Sequence, residues 1–180
     1  MSELPPIFVI TGSPATGKTT FARAVLQRYS HGLHIPVDDL REWVVSGIAH
    51  PVGWTEETTR QFRLAEQSAA DLAVRYNDAG FAVAIDHCSG PPNLDELIAA
   101  RFAGRAVVKI AMVTDLDTNH RRNRERTGKN FDAEILASTI DRLNPLYRTS
   151  NLESSGWILV ENSGEGIAGA LASLDAQWRP

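Results

Sequence analysis

Two hydrophobic rhythms take turns along this chain. Short apolar, β-branched runs predict strands at Ile7–Thr11, Leu33–Val37, Phe81–Asp86, Ala106–Val113 and Trp157–Val160. Between them the apolar positions take helical spacing, which predicts helices over Lys18–Tyr29, Asp39–Ser46, Glu56–Ala79, Asn93–Phe102, Asp117–Arg126 and Asp132–Arg148, with a last one over Gly166–Gln177. Alternation of this kind implies an α/β fold with a parallel sheet covered on both faces. Ligands of such sheets sit beyond the carboxyl ends of the strands. Polar residues begin at that edge in strand after strand: Asp38 and Asp39, then Asp86 and His87, then Thr114 and Asp115, then Glu161, Asn162 and Ser163.

The first strand runs directly into Gly12-Ser13-Pro14-Ala15-Thr16-Gly17-Lys18-Thr19, a complete G-x-x-x-x-G-K-[ST] phosphate-binding loop, with Thr20 opening the helix behind it. Strand, glycine loop and helix is the context the motif requires. The glycines let backbone N–H groups turn inward around phosphate oxygens, and the helix N-terminus adds partial positive charge. Lys18 reaches the terminal phosphates and the Thr19 hydroxyl ligates magnesium, so ATP and Mg2+ are the expected cofactors.

Composition sets the frame. A chain of 180 residues with 43% hydrophobic content fits a single domain with its own core. Its one cysteine excludes a disulfide framework. Met1-Ser2-Glu3-Leu4-Pro5-Pro6 lacks the features of a signal peptide, and no run is long enough for a membrane span, so a cytoplasmic location is expected. A net charge of −4 argues against a protein that coats nucleic acid. Against that acidic background, Arg121-Arg122-Asn123-Arg124-Glu125-Arg126, with Lys129 behind it, is a conspicuous basic run.

Phosphoryl transfer needs a phosphate cradle, magnesium, a group acting on the acceptor hydroxyl and cations on the transferring group. Asp38, the first residue past the second strand, is the candidate for the acceptor; Asp38 or Asp39 alternatively caps a helix beginning at Leu40. Arg41 lies one turn from Asp38 and suits an anionic substrate, or pairs with Glu42 at the surface. Arg122 and Arg126 share a helix face, and with the break at Thr127-Gly128-Lys129-Asn130 they describe a lid over residues 120–132. Asp86 is a second magnesium candidate, or bonds a loop backbone. Asn162 borders the adenine, or belongs to a plain turn. His87 and Cys88 have too few ligands beside them in the chain for a metal site of their own. Residues 48–79, with Trp54, Phe62, Leu64, Leu72 and Tyr76, form a substrate-facing insertion whose aromatic residues mostly join the core.

The phosphate loop, Asp38-Asp39-Leu40-Arg41 and Arg122-Asn123-Arg124-Glu125-Arg126 together resemble the P-loop kinase superfamily. The resemblance is greatest to the branch of polynucleotide 5′-hydroxyl kinases, chloramphenicol phosphotransferase and zeta-toxin-like kinases, and runs from the first strand to about Leu146. It implies a five-stranded parallel sheet in the order 2-3-1-4-5, a catalytic role for Asp38, a substrate contact for Arg41 and phosphate contacts for Arg122 and Arg126. No basic stripe accompanies the lid, which moves the expected acceptor from nucleic acid towards a small molecule with a hydroxyl group. A 5′-hydroxyl nucleic acid or nucleotide kinase, and an ATP-binding switch without an acceptor, are the competing readings.

Overall fold

Alternation along β1 (Ile7–Gly12) divides its side chains between two cores. Ile7 and Val9 meet Val83 and Ile85 of β3 (Ala82–Asp86) and Ala111 and Val113 of β4 (Val107–Val113) on one face. Phe8 and Ile10 meet Ala82, Ala84, Val108, Ile110 and Met112 on the other. Every residue of β1 is buried, as a central parallel strand requires. Adding β2 (Gly32–Pro36) and β5 (Ile158–Glu161) completes a five-stranded parallel sheet in the order β2-β3-β1-β4-β5, the order expected. The structure is a computed structural model and describes residues 4–51, 53–126, 133–164 and 166–179.

Helices α1 (Lys18–Leu26) and α7 (Gly166–Gln177) cover the Phe8 face, with Phe21, Val25, Ala170 and Leu174 buried between. On the other face lie α3 (Glu56–Asp78), α4 (Pro91–Arg101) and α6 (Ala133–Thr149). Full burial of Phe8, Phe21 or Trp157 is worth about 1.5–3 kcal/mol each relative to exposure. The inward stripe of α3 is Ala65, Ala69, Ala70 and Ala73, and methyl groups alone let the helix lie close to the sheet. Thr55 caps α3 reciprocally with Thr58, a contribution of about 1 kcal/mol. Helices α2 (Val37–Glu42) and α5 (Leu116–Glu125) pack on α3 and α6 respectively.

Several elements depart from expectation, among them α1, which ends at Leu26 rather than Tyr29, and α2, which ends at Glu42 rather than Ser46. The second strand stops at Pro36, and Val37, expected as its last residue, is the first of α2. Pro36 fixes its own φ at −77° and stands in the cap position, with no side-chain cap. Asp38 and Asp39 therefore lie in the first turn, favourably placed against the helix dipole, and neither caps a helix beginning at Leu40. Helix α4 starts at Pro91 rather than Asn93, because proline at the first helical position costs no hydrogen bond. A 3-10 turn at Glu153–Ser155, closed by Gly156 at φ 76°, precedes β5 and was not expected.

Register decides what meets at the carboxyl edge. Ile10 of β1 pairs with Asp86, and Asp86 pairs in turn with Pro36 of β2. The phosphate loop, Asp86 and the start of α2 are thereby level with one another. Val113 pairs with Glu161, which brings Asn162 to the same edge.

Candidate active site

The loop after β1 turns on residues that tolerate a left-handed backbone. Gly12 has φ 148° and Gly17 has φ 95°, with Ala15 between them at φ 63°. A Cβ on Gly12 would stand 2.4 Å from the Met112 carbonyl oxygen, and one on Gly17 would stand 2.7 Å from Asn162 Nδ2. Both positions therefore need glycine for space as well as for conformation. Lys18 Nζ donates to the carbonyl oxygens of Gly12 and Ser13 at 3.0 Å each, which lays its side chain across the loop. Burial lowers the pKa of Lys18, while the carboxylates of Asp86 and Asp38 oppose the shift.

Thr19 and Asp86, the two magnesium candidates, line the same cleft, and the Thr19 side chain helps hold the Asp86 carboxyl ionised. Asp86 Oδ2 also bonds His34 Nε2 at 2.8 Å. Burial alone would raise the Asp86 pKa. The hydrogen bond and charge of His34, with Lys18 and Thr19, outweigh burial and leave it below the ordinary carboxylate value. An ionised carboxylate beside a hydroxyl, both at the mouth of a loop with inward N–H groups, is an oxygen donor set suited to magnesium.

Three asparagines carry the loop. Asn119 of α5 accepts from Ser13 Oγ at 2.6 Å and donates to the Pro14 carbonyl. Asn144 of α6 donates to Asn119 Oδ1 at 2.9 Å and to the Thr114 carbonyl at 2.8 Å. Asn162 donates to the Thr16 carbonyl at 2.8 Å. All three are buried. Tyr147 adds a bond to Thr11 Oγ1 at 2.7 Å and one to the Ser89 carbonyl at 3.2 Å. Sequence reasoning missed Asn119, Asn144 and Tyr147. The available signal was polar residues at α5 and α6 positions that the helical period turns inward. Asn162, expected beside an adenine or in a plain turn, has its amide against the loop backbone.

A cleft of about 870 Å³ opens over this edge. Of the loop residues, Pro14, Ala15, Gly17, Lys18, Thr19 and Thr20 line it, while Gly12, Ser13 and Thr16 are buried. Asp86, Asp38 and Arg41 continue the wall, and Arg122 and Arg126 face in from α5 and its end. Among the described residues, the buried Arg122 Nη1 has no hydrogen-bond partner. Arg121 and Arg124 are exposed and do not line the cleft. The loop Thr127-Gly128-Lys129-Asn130, and with it the second part of the expected lid at 120–132, lies outside the described residues.

Arg41 is not at the surface beside Glu42. It is buried, donates from Nη1 to the Ala49 carbonyl at 2.7 Å, and lies over the Phe62 ring at 4.5 Å. Trp54 stacks on the opposite end of this arrangement, its ring 5.0 Å from that of Phe62 at 14°. Arg41 thus holds the segment between α2 and α3 as well as lining the cleft. Past Asp38 the cleft wall is His87 and Cys88, and one ligand atom of each lies within 4.8 Å of the others and of Asp38. Chain spacing left His87 and Cys88 short of ligands; the fold supplies Asp38 from a different element.

The sheet order, the glycine loop and the Thr19–Asp86 pair define a P-loop nucleotide-binding domain of the α/β class. The chain belongs to a family described as an AAA domain, whose model matches residues 7–148. No curated protein matches the sequence. Among solved structures, a gluconokinase from Sinorhizobium meliloti 1021 is similar at TM-score 0.63 and 17% identity, over 98% of this chain and 95% of that one. The Deinococcus radiodurans tunicamycin resistance protein is similar at TM-score 0.62 and 12% identity, over 98% and 97%. A sugar kinase from Janibacter sp. HTCC2649 is similar at TM-score 0.61 and 18% identity, over 97% and 92%. At these identities the likeness is one of fold.

Proposed function

We propose that this protein is an ATP- and magnesium-dependent phosphotransferase that moves the γ-phosphoryl group to a hydroxyl of a small molecule. The observation that carries the reading is one cleft lined both by the phosphate loop and by Asp38. A nucleotide-binding switch needs the loop only. The kinases named in two of the similar structures agree with the proposal.

The geometry supports the following roles. The loop amides and Lys18 bind the β and γ phosphates, and release of Lys18 Nζ from two carbonyl oxygens lets its ammonium turn to them. Thr19 and Asp86 would hold the magnesium ion. When bound, that ion neutralises charge on the phosphate oxygens. Asp38 orients the acceptor hydroxyl and takes its proton as the new P–O bond forms. Arg122 and Arg126 place positive charge over the transferring group. Arg41 faces the acceptor, its guanidinium held by Phe62 and Ala49.

The test is a transfer screen with γ-labelled ATP and magnesium against sugars, sugar acids, aminoglycoside- and nucleoside-type compounds and 5′-hydroxyl oligonucleotides. Label in one small-molecule class supports the proposal. Label in oligonucleotides alone, weakening steeply with salt as phosphate contacts require, replaces it with the nucleic acid reading. ATP binding with no labelled acceptor favours the switch.

A further inference from the structure

From the side chains at the acceptor end of the cleft, we infer a second cation site, formed by Asp38, His87 and Cys88 and selective for a thiophilic divalent ion such as Zn2+. One ligand atom from each residue lies within 4.8 Å of the other two. Tetrahedral zinc with bonds of about 2.0–2.3 Å places its ligand atoms roughly 3.5 Å apart, so side-chain rotations that close about 1 Å complete the set. A carboxylate oxygen, an imidazole nitrogen and a thiolate are a zinc set, whereas magnesium takes oxygen ligands. Three protein ligands with a fourth position open to the cleft match the open form of zinc site.

A second observation points to a ligand here. His87 is 3% exposed, and its Nε2 is buried with no hydrogen-bond partner. Nδ1 accepts the Ser89 N–H at 2.7 Å, so the ring proton sits on that unpartnered Nε2. An orphaned donor in the interior is costly. Glu66 Oε1 stands 3.5 Å from Nδ1, behind the ring. On cation binding at Nε2 the ring proton moves to Nδ1, which gives up the Ser89 N–H bond and donates to Glu66 instead. A carboxylate behind a metal-bound imidazole is the usual orienting partner.

The balance is simple. An unliganded cysteine thiol is protonated at neutral pH. Binding expels the thiol proton to solvent, the imidazole exchanges one tautomer for the other, and a dication meets two negative ligands. Nothing is oxidised or reduced.

Occupancy takes Asp38 away from the acceptor hydroxyl. Zinc then inhibits phosphoryl transfer without displacing magnesium from Thr19 and Asp86; this consequence rests on the proposed function, and the site itself does not. The experiment is cobalt titration of the full chain without nucleotide. Cys88 is the only cysteine, so a thiolate-to-cobalt charge-transfer band reports this site alone. A saturable band at one cobalt per chain, competed by zinc and lost in Cys88→Ala, is expected. His87→Gln should weaken cobalt binding at least roughly tenfold. No charge-transfer band in the native chain overturns the site, whatever the transfer screen finds. In a chain with transferase activity, zinc should inhibit native protein at least roughly tenfold more strongly than Cys88→Ala. Equal inhibition of the two overturns the inhibitory role, since zinc would then act at the magnesium ligands.

Discussion

Asn119→Ala removes the side chain through which α5 holds the phosphate loop. Three hydrogen bonds go: those from Ser13 Oγ at 2.6 Å and from Asn144 Nδ2 at 2.9 Å, and the one given to the Pro14 carbonyl. Asn144 keeps its bond to the Thr114 carbonyl, and its loss is small. The Ser13 hydroxyl and the Pro14 carbonyl are left beside a cavity the size of an amide, with only a long bond to each other at 3.4 Å. Each stranded buried group costs about 1–3 kcal/mol, so the pair costs about 3 kcal/mol. Loosening of the loop can return Pro14, which is half-buried, to water. Stability then falls by less, but the preformed arrangement of N–H groups is lost and ATP binding weakens. For a chain of this length 1 kcal/mol is worth about 2–4 °C, which sets an expected Tm decrease of about 6–12 °C with the loop held and less with it loosened. Denaturant unfolding and ATP calorimetry on the same samples separate the two routes. Asn119→Asp retains the acceptor for Ser13 and Asn144 but turns a carboxylate oxygen onto the Pro14 carbonyl in a fully buried position, so its effect on stability should be at least as large. A variant Asn119→Ala with stability within about 0.5 kcal/mol of native and unchanged ATP affinity would refute the claim that this residue carries the loop.

Three further outcomes follow from the same geometry. Gly17→Ala forces a Cβ to 2.7 Å from Asn162 Nδ2 on a backbone at φ 95°, so ATP binding should be abolished while far-UV circular dichroism stays native. Burial pushes the Tyr147 phenol up to about 12, so the fold keeps it neutral after it would ionise in the unfolded chain near about 10. Its contribution, on the order of 3 kcal/mol, is therefore complete below about pH 10 and lost as pH rises towards 12, and Tyr147→Phe should flatten the fall in stability over that window. Asp86 is depressed, so its share of stability is present above the ordinary carboxylate pKa and lost as pH falls below it; Asp86→Asn should be less acid-sensitive than native protein, measured by Tm between about pH 2 and 5.

The strands and the phosphate loop were legible because each is written locally, whereas the strand order came only with the family resemblance. Five apolar runs, one glycine motif and the rule that ligands sit beyond strand ends place Lys18, Thr19, Asp38 and Asp86 on one edge. What spacing conceals is contact between elements. The apolar pattern carries Val37 into the strand, and only the fixed φ of Pro36 moves it to the helix. Arg41, three residues from Asp38, reads equally as a substrate contact or as a surface charge, and only the fold shows that Phe62 and the Ala49 carbonyl, from beyond α2, bury it. Asn119, Asn144 and Asn162 look like ordinary polar residues until the carbonyls of Pro14, Thr114 and Thr16 are set opposite them. Asp38 joins His87 and Cys88 only because β2 and β3 end level in the sheet.

The central claim is that Asp38 acts on the acceptor and not on ATP. The most direct measurement sets phosphoryl transfer beside ATP affinity in Asp38→Ala, using whichever acceptor the screen labels. The account predicts that transfer falls by about 10²–10⁴, the range for loss of a general base, while ATP affinity changes less than about twofold. Weakened ATP binding with proportionate residual transfer would contradict it, and would place Asp38 among the nucleotide contacts instead.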